Sequence, residues 1–302
     1  MKIGMVGLGK MGANMADRIR QAGHEVVGYD AFSDASQVGS LKDLVAALDA
    51  PRVVWLMVPA GEATDSTIDE LKGLLASGDV VVDGGNSNWH DSVRHGETLR
   101  EAGIGFVDCG TSGGVWGLAE GYSLMVGGAA EHVALCQPLF DALRPPEGGF
   151  VHAGPIGTGH FTKMVHNGVE YGMMQAYAEG YELLTRAGLG IDVLGGLKAW
   201  QHGSVVRSWL LDLLVRALEE DPKLEGIAPV AKDSGEGRWT VLEGINHGVP
   251  MPVISAALYA RFTSQDDSSD SMKAVAALRN QFGGHAFVDT SGQDAGEHGS
   301  PT

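Results

Sequence analysis

Six residues near the N-terminus constrain this chain more than any others. Gly7-Leu8-Gly9-Lys10-Met11-Gly12 follows directly on an apolar, strand-like run, Lys2-Ile3-Gly4-Met5-Val6, and leads into a helical pattern. Where a strand turns sharply into a helix, glycines at these positions allow the tight turn, the close approach of a pyrophosphate and close packing of helix on strand. The pyrophosphate would lie at the helix N-terminus, where unpaired N–H groups and the helix dipole favour an anion. Such a pattern alone is weak. Here an acid, Asp30, ends the second strand-like run 18 residues beyond Gly12. It is placed to accept hydrogen bonds from an adenosine ribose and to repel a 2′-phosphate. Ala31 and Phe32 bring no cation for that phosphate, although Lys10 is near. The expected cofactor is NAD, with NADP less favoured.

The rest of the first half agrees with that reading. Strand patterns at Lys2–Val6, Glu25–Tyr29, Val53–Val58, Val80–Asp83, Gly105–Asp108, Ser123–Val126 and near Phe150 alternate with helical ones at 10–22, 62–76, 92–102 and 130–142. Alternation of this kind predicts a parallel sheet covered on both faces. From His160 onward strand patterns vanish, and helical segments follow at about 158–188, 192–202, 206–219, 232–247, 251–265 and 268–281. The expected fold is α/β: a Rossmann-like, doubly wound, mostly parallel sheet over 1–157, then an all-helical domain over 158–289. A Gly/Ser/Asp-rich tail over 290–302 is expected to be disordered.

Composition excludes several classes. The formal charge of −17 argues against nonspecific nucleic-acid or anionic-membrane binding. No apolar run is long enough to span a bilayer, and the strand pattern at Lys2 leaves no room for a signal peptide. Two cysteines, Cys109 and Cys136, suit neither a disulfide framework nor a metal site. The expected setting is a reducing cytoplasm, with no metal.

Three further stretches carry candidate chemistry. Val58-Pro59 and Asp83-Gly84-Gly85-Asn86-Ser87 end strands three and four, and ligands bind at carboxyl strand ends in such sheets. Gly84-Gly85 also suits a plain tight turn, but Asn86 after it can reach both nicotinamide and substrate. Ser112-Gly113-Gly114 leaves the fifth strand, offering a hydroxyl and unobstructed amides to a carboxylate or hydroxyls. The pattern equally fits a glycine-rich turn. Finally, Lys163, His166, Asn167 and Glu170 fall at i, i+3, i+4 and i+7 of one long helix, and so on one face. A solvated stripe is the ordinary reading of such residues. Gly168 and Gly172, each costing roughly 1 kcal/mol relative to alanine, and the apolar Met164, Val165 and Val169 instead suggest a helix buried on several faces, with the polar stripe facing a site.

Taken together, Gly7–Gly12, Asp83–Ser87, Asp108–Gly117 with Gly121–Met125, and Gly159–Lys163 through Gln175–Gly180 resemble decarboxylating 6-phosphogluconate dehydrogenase in its short bacterial form. The resemblance covers essentially residues 1–288, and Lys-Met-Val-His-Asn-Gly-x-Glu-Tyr-Gly-x-Met-Gln from Lys163 is its most specific part. It implies that Lys163 is the base that takes the C3 hydroxyl proton and that Glu170 is the acid that protonates C1 after CO₂ leaves. It implies that Asn86, Ser112, Gly113, Gly114, His166, Asn167 and Tyr171 hold the substrate, with Asn167 also in the catalytic set and Tyr171 reaching the phosphate. Arg238 stands where the family has a lysine, two residues before Thr240, both near the phosphate; the departure keeps charge but changes geometry. Arg261 matches another phosphate ligand. Arg279 and His285 match a pair that the family inserts into a neighbouring subunit's site, which implies a homodimer or homotetramer with exchanged tails. The implied substrate is a sugar-acid phosphate.

A β-hydroxyacid dehydrogenase of the 3-hydroxyisobutyrate type shares the glycine fingerprint, the Ser-Gly-Gly loop and the Lys–Asn pair, but ordinarily lacks the Glu at Lys+7 and the Arg/His tail. A catalytically silent NAD-binding module would keep Gly7–Gly12 without needing Lys163 and Glu170.

Overall fold

The computed structural model describes residues 1–283 and 285–295 of the chain. Seven strands form one sheet: β1 (Lys2–Val6), β2 (Glu25–Tyr29), β3 (Val53–Leu56), β4 (Val80–Asp83), β5 (Gly105–Ser112), β6 (Ser123–Gly128) and β7 (Phe150–Gly154). Their spatial order is β2-β1-β3-β4-β5-β6-β7, and every pairing is parallel except β5 with β6. The helices between them are α1 (Lys10–Gln21), α2 (Leu41–Ala46), α3 (Glu62–Leu74), α4 (Trp89–Arg100), the short α5 (Gly117–Glu120) and α6 (Ala130–Leu143). Two apolar cores result, one containing Ile3, Met15, Trp55 and Phe140, the other Leu44, Leu56, Leu71 and Phe106. That is why Val53–Leu56 and Val80–Asp83 are buried along their whole length and read as unbroken apolar runs. The chain goes from β1 outward to β2 and then back to β3 on the other side. The switch point between β1 and β3 is therefore where the glycine turn sits.

Long α7 (Thr158–Arg186) follows, then α8 (Val193–Trp200), α9 (Trp209–Glu220), α10 (Glu236–Asn246), α11 (Pro252–Ser264) and α12 (Asp270–Gly283). The chain forms two compact units, Met1–Ala176 with Gly235–Ile254, and Tyr177–Ser234 with the described residues from Ser255 onward. The boundary between these compact units runs through α7. The reason is packing. A Cβ on Gly110 of β5 would overlap the Lys163 side chain, and one on Gly168 would stand 2.6 Å from the Thr240 methyl, so both α7 and α10 lie flush against the sheet unit. In the second unit Leu197, Leu211, Val215 and Leu218 form a separate small core with Tyr177 and Tyr181 at its edge.

Four details depart from expectation. β5 runs four residues past Asp108, because Cys109–Ser112 pair antiparallel with Ser123–Val126; pairing overrides the turn-like Gly110 and Thr111. α2 went unforeseen although Ser40 caps it by accepting from the Asp43 N–H, a Ser-x-x-acid start signal. Strands do recur late: β8 (Phe287–Val288) pairs with β9 (Asp294–Ala295) around a turn in which Asp289 Oδ1 accepts from the Ser291 and Gln293 N–H groups and Gly292 takes φ +83°. The expected disordered tail therefore holds an ordered hairpin as far as Ala295, and residues 296–302 lie outside the described residues. Among the described residues no helix is long and apolar enough to cross a membrane.

Candidate active site

The three glycines of the turn divide their work. Gly7 takes φ +92°, and a Cβ there would stand 2.5 Å from the Met57 carbonyl oxygen, so only glycine lets β1 turn beside β3. A Cβ on Gly12 would overlap the Gly7 carbonyl oxygen, which fixes how closely α1 approaches the turn. Gly9 is different: the space where its Cβ would be is open, at the N-terminus of α1, whose first turn carries no acidic residue and whose cap has no side-chain partner. An incoming phosphate meets bare N–H groups there. Asp30 Oδ2 accepts from the Leu8 N–H at 2.7 Å and Oδ1 from the Phe32 N–H at 2.9 Å. Each oxygen keeps a lone pair for a ribose hydroxyl. Lys10 is exposed, Leu8 and Met11 are half-buried, and Phe32 is fully exposed. The residues present fit a dinucleotide.

Val58 and Pro59 follow β3, and Asn86 follows β4. The two strand ends meet closely, since a Cβ on Gly85 would stand 3.1 Å from the Val58 carbonyl oxygen. The Gly84-Gly85 turn is closed by the Gly85 N–H donating to Asp83 Oδ1 at 3.0 Å. It leaves Asn86 exposed, with its Nδ2 donating to Glu236 Oε1 at 2.5 Å.

Asp108, fully buried at the parallel end of β5, anchors α7. Its Oδ1 accepts from the Gly157 N–H at 2.7 Å and its Oδ2 from the His160 N–H at 2.8 Å. A carboxylate on two orphan N–H groups at a helix start is a strong tie. One turn later Lys163 is only 7% exposed, and its Nζ donates to Asn167 Oδ1 at 2.7 Å. Burial holds the Lys163 ammonium below the ordinary lysine range, opposed by the carboxylates of Glu170 and Glu236. His166 Nδ1 lies 3.0 Å from Asn167 Oδ1, and its Nε2 lies 3.4 Å from Ser112 Oγ. Lys163 Nζ also lies 3.4 Å from His166 Nδ1, so that nitrogen faces both a donor and the Asn167 acceptor. His166 Nδ1 also stands 3.8 Å from Glu170 Oε2, and both side chains are partly exposed. Gly113 at φ +133° and Gly114 at φ +54° turn the loop away after Ser112, and the space over Gly114 is open. Cys109 beside this loop is buried and its thiol is pushed up by burial, which makes it a poor nucleophile.

The α7 stripe is thus split. Lys163 and Asn167 lie on the buried face, His166 and Glu170 at its rim. The expectation of burial on several faces is corrected: Val165 and Val169 are exposed, Val169 at 48%, because the covered face runs through Gly159, Lys163, Met164, Asn167, Gly168 and Tyr171. Tyr171 is buried against Gly237, where a Cβ would overlap its ring. Thr240 is also corrected. It is buried, and its hydroxyl reaches the Met164 carbonyl at 2.7 Å and the Glu236 carbonyl at 2.8 Å, so it clasps α10 to α7 and has no proton left for a phosphate. Arg238 is exposed on α10. Arg261, Arg279 and His285 belong to the second unit. There Arg261 Nη1 donates to the Lys232 carbonyl, Arg279 is exposed on α12, and the His285 carbonyl accepts from Asn280 Nδ2. Among the described residues no group of three His, Cys, Asp or Glu is arranged to hold a metal. Sequence reasoning missed Asp108 and Glu236, whose partners lie 49 to 150 residues away.

A glycine cradle at the switch point, with a buried lysine against β5 of the same sheet, defines a nicotinamide-dinucleotide oxidoreductase in which a long helix faces the sheet. Residues 2–145 match the NAD binding domain of 6-phosphogluconate dehydrogenase, and residues 159–291 match the C-terminal domain of the same enzyme. The chain is 43% identical over 295 residues to an NAD(+)-dependent, decarboxylating 6-phosphogluconate dehydrogenase of Haloferax volcanii, covering 94% of this chain and 98% of that one. A Bacillus subtilis enzyme of the same description is 36% identical over 286 residues, but the match covers only 61% of its length. The chain belongs to the 6-phosphogluconate dehydrogenase family. Among solved structures, Plasmodium falciparum 6-phosphogluconate dehydrogenase superposes with a TM-score of 0.77 at 26% identity, covering 97% of this chain and 67% of that one. Mycobacterium tuberculosis 3-hydroxyisobutyrate dehydrogenase shares the fold, with a TM-score of 0.70 at 22% identity, covering 92% of this chain and 99% of that one.

Proposed function

We infer that this chain oxidises 6-phospho-D-gluconate to D-ribulose 5-phosphate and CO₂, with NAD as the preferred hydride acceptor and NADP the lesser one. The observation that carries the reading is Lys163, a buried lysine held on Asn167 and depressed below the ordinary lysine range. Such an amine is neutral often enough to accept a proton from a substrate hydroxyl. The bound dinucleotide supplies the hydride acceptor, on the Gly7–Gly12 turn and Asp30. Lys163 takes the C3 hydroxyl proton as that carbon is oxidised, giving a β-keto acid. As an ammonium it then stabilises the charge that develops on the C3 oxygen when CO₂ leaves. Glu170, at the rim and in exchange with solvent, delivers the proton to C1 of the resulting enediol. The two groups sit seven residues apart on one helix, roughly 10 Å of rise, which suits two separate carbons of an extended substrate.

Asn86, the Ser112 hydroxyl, the Gly113 and Gly114 amides, His166 and Asn167 would hold the carboxylate and hydroxyls. Tyr171, Arg238 and Arg261 would serve the phosphate. Arg279 and His285 would complete a neighbouring subunit's site in a homodimer or homotetramer, in the cytoplasm. Residues 1–157 would bind the dinucleotide and one side of the substrate, and 158–289 the rest of the substrate and the neighbouring subunit. The test is a steady-state comparison of NAD and NADP with 6-phosphogluconate and with 3-hydroxyisobutyrate, following reduced cofactor and released CO₂ together. Reduction without CO₂ release, or turnover of 3-hydroxyisobutyrate alone, overturns the reading.

A further inference from the structure

Glu236 opens α10 immediately after Gly235, which takes φ +106°. The residue is 4% exposed, and burying a carboxylate is unfavourable unless it is paired. Its Oε1 accepts from Asn86 Nδ2 at 2.5 Å. Its own carbonyl accepts from the Thr240 hydroxyl, which also reaches Met164, the residue after Lys163. Glu236 is therefore fixed between the end of β4 and the lysine of α7. An ionised carboxylate can only accept. It turns the Asn86 amide so that Nδ2 faces Glu236 and Oδ1 faces away, free to accept from a substrate hydroxyl or a carboxamide N–H.

We propose that Glu236 is a positioning residue of the active site, orienting the Asn86 amide through its Oε1 and setting a buried negative charge beside Lys163. This rests on the reading of Lys163 as the base. Its role differs from that of Glu170, which is solvent-open and can exchange protons. The groups facing Lys163 are His166, Asn167 and Glu170 from its own helix and Glu236 from α10; on β5 both oxygens of Asp108 are taken by the Gly157 and His160 N–H groups. A neighbouring carboxylate favours the ammonium, so removing it lowers the lysine's proton affinity.

Glu236→Gln keeps an acceptor for Asn86 but removes the charge; Glu236→Ala removes both. In Glu236→Gln, KM for 6-phosphogluconate should stay within about threefold of wild type, while the acid limb of kcat/KM moves to lower pH by about half a unit or more. Glu236→Ala should move the limb likewise and also raise KM by about tenfold, as Asn86→Ala should without moving the limb. The double variant should add nothing to that KM, since the two groups act as one unit. An unmoved limb in Glu236→Gln, or a wild-type KM in both Glu236→Ala and Asn86→Ala, overturns the proposal. A Lys163 titration followed by NMR of ¹³Cε-labelled lysine needs no turnover. A downward shift in Glu236→Gln supports the charge role even if wild type proves inactive on 6-phosphogluconate, and an unchanged midpoint refutes it.

Discussion

Replacing Asp108 by asparagine tests whether the site is assembled as described, because the change keeps shape and removes one acceptor. Both carboxylate oxygens accept main-chain N–H groups at the start of α7, at 2.7 and 2.8 Å, and the residue is wholly buried. Asparagine offers one oxygen and one amide, so one bond loses its charge and the other is replaced by two opposed donors. A hydrogen bond to a charged group contributes about 1.5–3 kcal/mol, and a buried, unsatisfied donor costs about 1–3 kcal/mol. The loss should be about 3 kcal/mol, which in a unit of this size lowers Tm by about 6–12 °C. Kinetics should change as well. Lys163 lies three residues beyond His160, so a displaced helix start misplaces Nζ, and about an ångström of misplacement costs up to about 100-fold in kcat. Calorimetry at neutral pH and steady-state assay of the same preparation check both numbers. A Tm within about 2 °C of wild type, or a large Tm loss with untouched kcat, would refute the anchoring argument.

Lys163→Met should abolish hydride transfer while leaving dinucleotide affinity near normal, measured by titration of intrinsic fluorescence; residual turnover near wild type would remove the lysine from the base role. Burial depresses the folded-state Lys163 pKa below its unfolded value, so between the two the unfolded chain binds the extra proton. Unfolding free energy should therefore rise with pH across that interval, and kcat/KM should rise with pH as the neutral amine forms; in Lys163→Met the stability slope should flatten there. Asp30→Ser combined with Ala31→Arg should move preference from NAD toward NADP by about tenfold or more, read from the ratio of kcat/KM values. Unchanged ratios would show that Asp30 is not the discriminator. Ending the chain after Leu278 should raise KM for 6-phosphogluconate strongly in an assembly of unchanged size by light scattering, and unaltered kinetics would exclude Arg279 and His285 from the site.

What was legible in the sequence was whatever repeats locally. The β1 turn, the strand and helix alternation, and the spacing of Lys163 with Asn167 all show in windows shorter than twenty residues, and the observed hydrogen bond from Lys163 Nζ to Asn167 follows from that spacing. Periodicity reports faces, however, and not which face is covered. Val165 and Val169 look as apolar as Met164, and only the placement of Gly110 and Thr240 decides that Met164 is buried while the two valines are open. Thr240 likewise reads as a hydroxyl donor, and its commitment to the Met164 carbonyl is a tertiary fact. The late hairpin was hidden because Asp289-Thr290-Ser291-Gly292 has the composition of a loop, and a tight turn is made of the same residues.

The two acids missed from sequence say how an anionic substrate can be held on a chain of formal charge −17. Asp108 and Glu236 are buried against N–H donors, two from the main chain and one from an amide, so their charges are answered locally and oppose an incoming anion less. In the proposed reaction Lys163 must be neutral when the substrate hydroxyl gives up its proton, so it would not at that moment serve as a permanent cation for the carboxylate. The substrate's carboxylate is then left to fixed dipoles, the open amides at Gly113 and Gly114, while the bare N-terminus of α1 serves the dinucleotide's phosphates. Such donors keep their polarity whatever the lysine's charge, and they need no reorganisation as the proton moves. With Lys163 as the proposed base, a site so built would let it change charge state during turnover without releasing the acid it acts on.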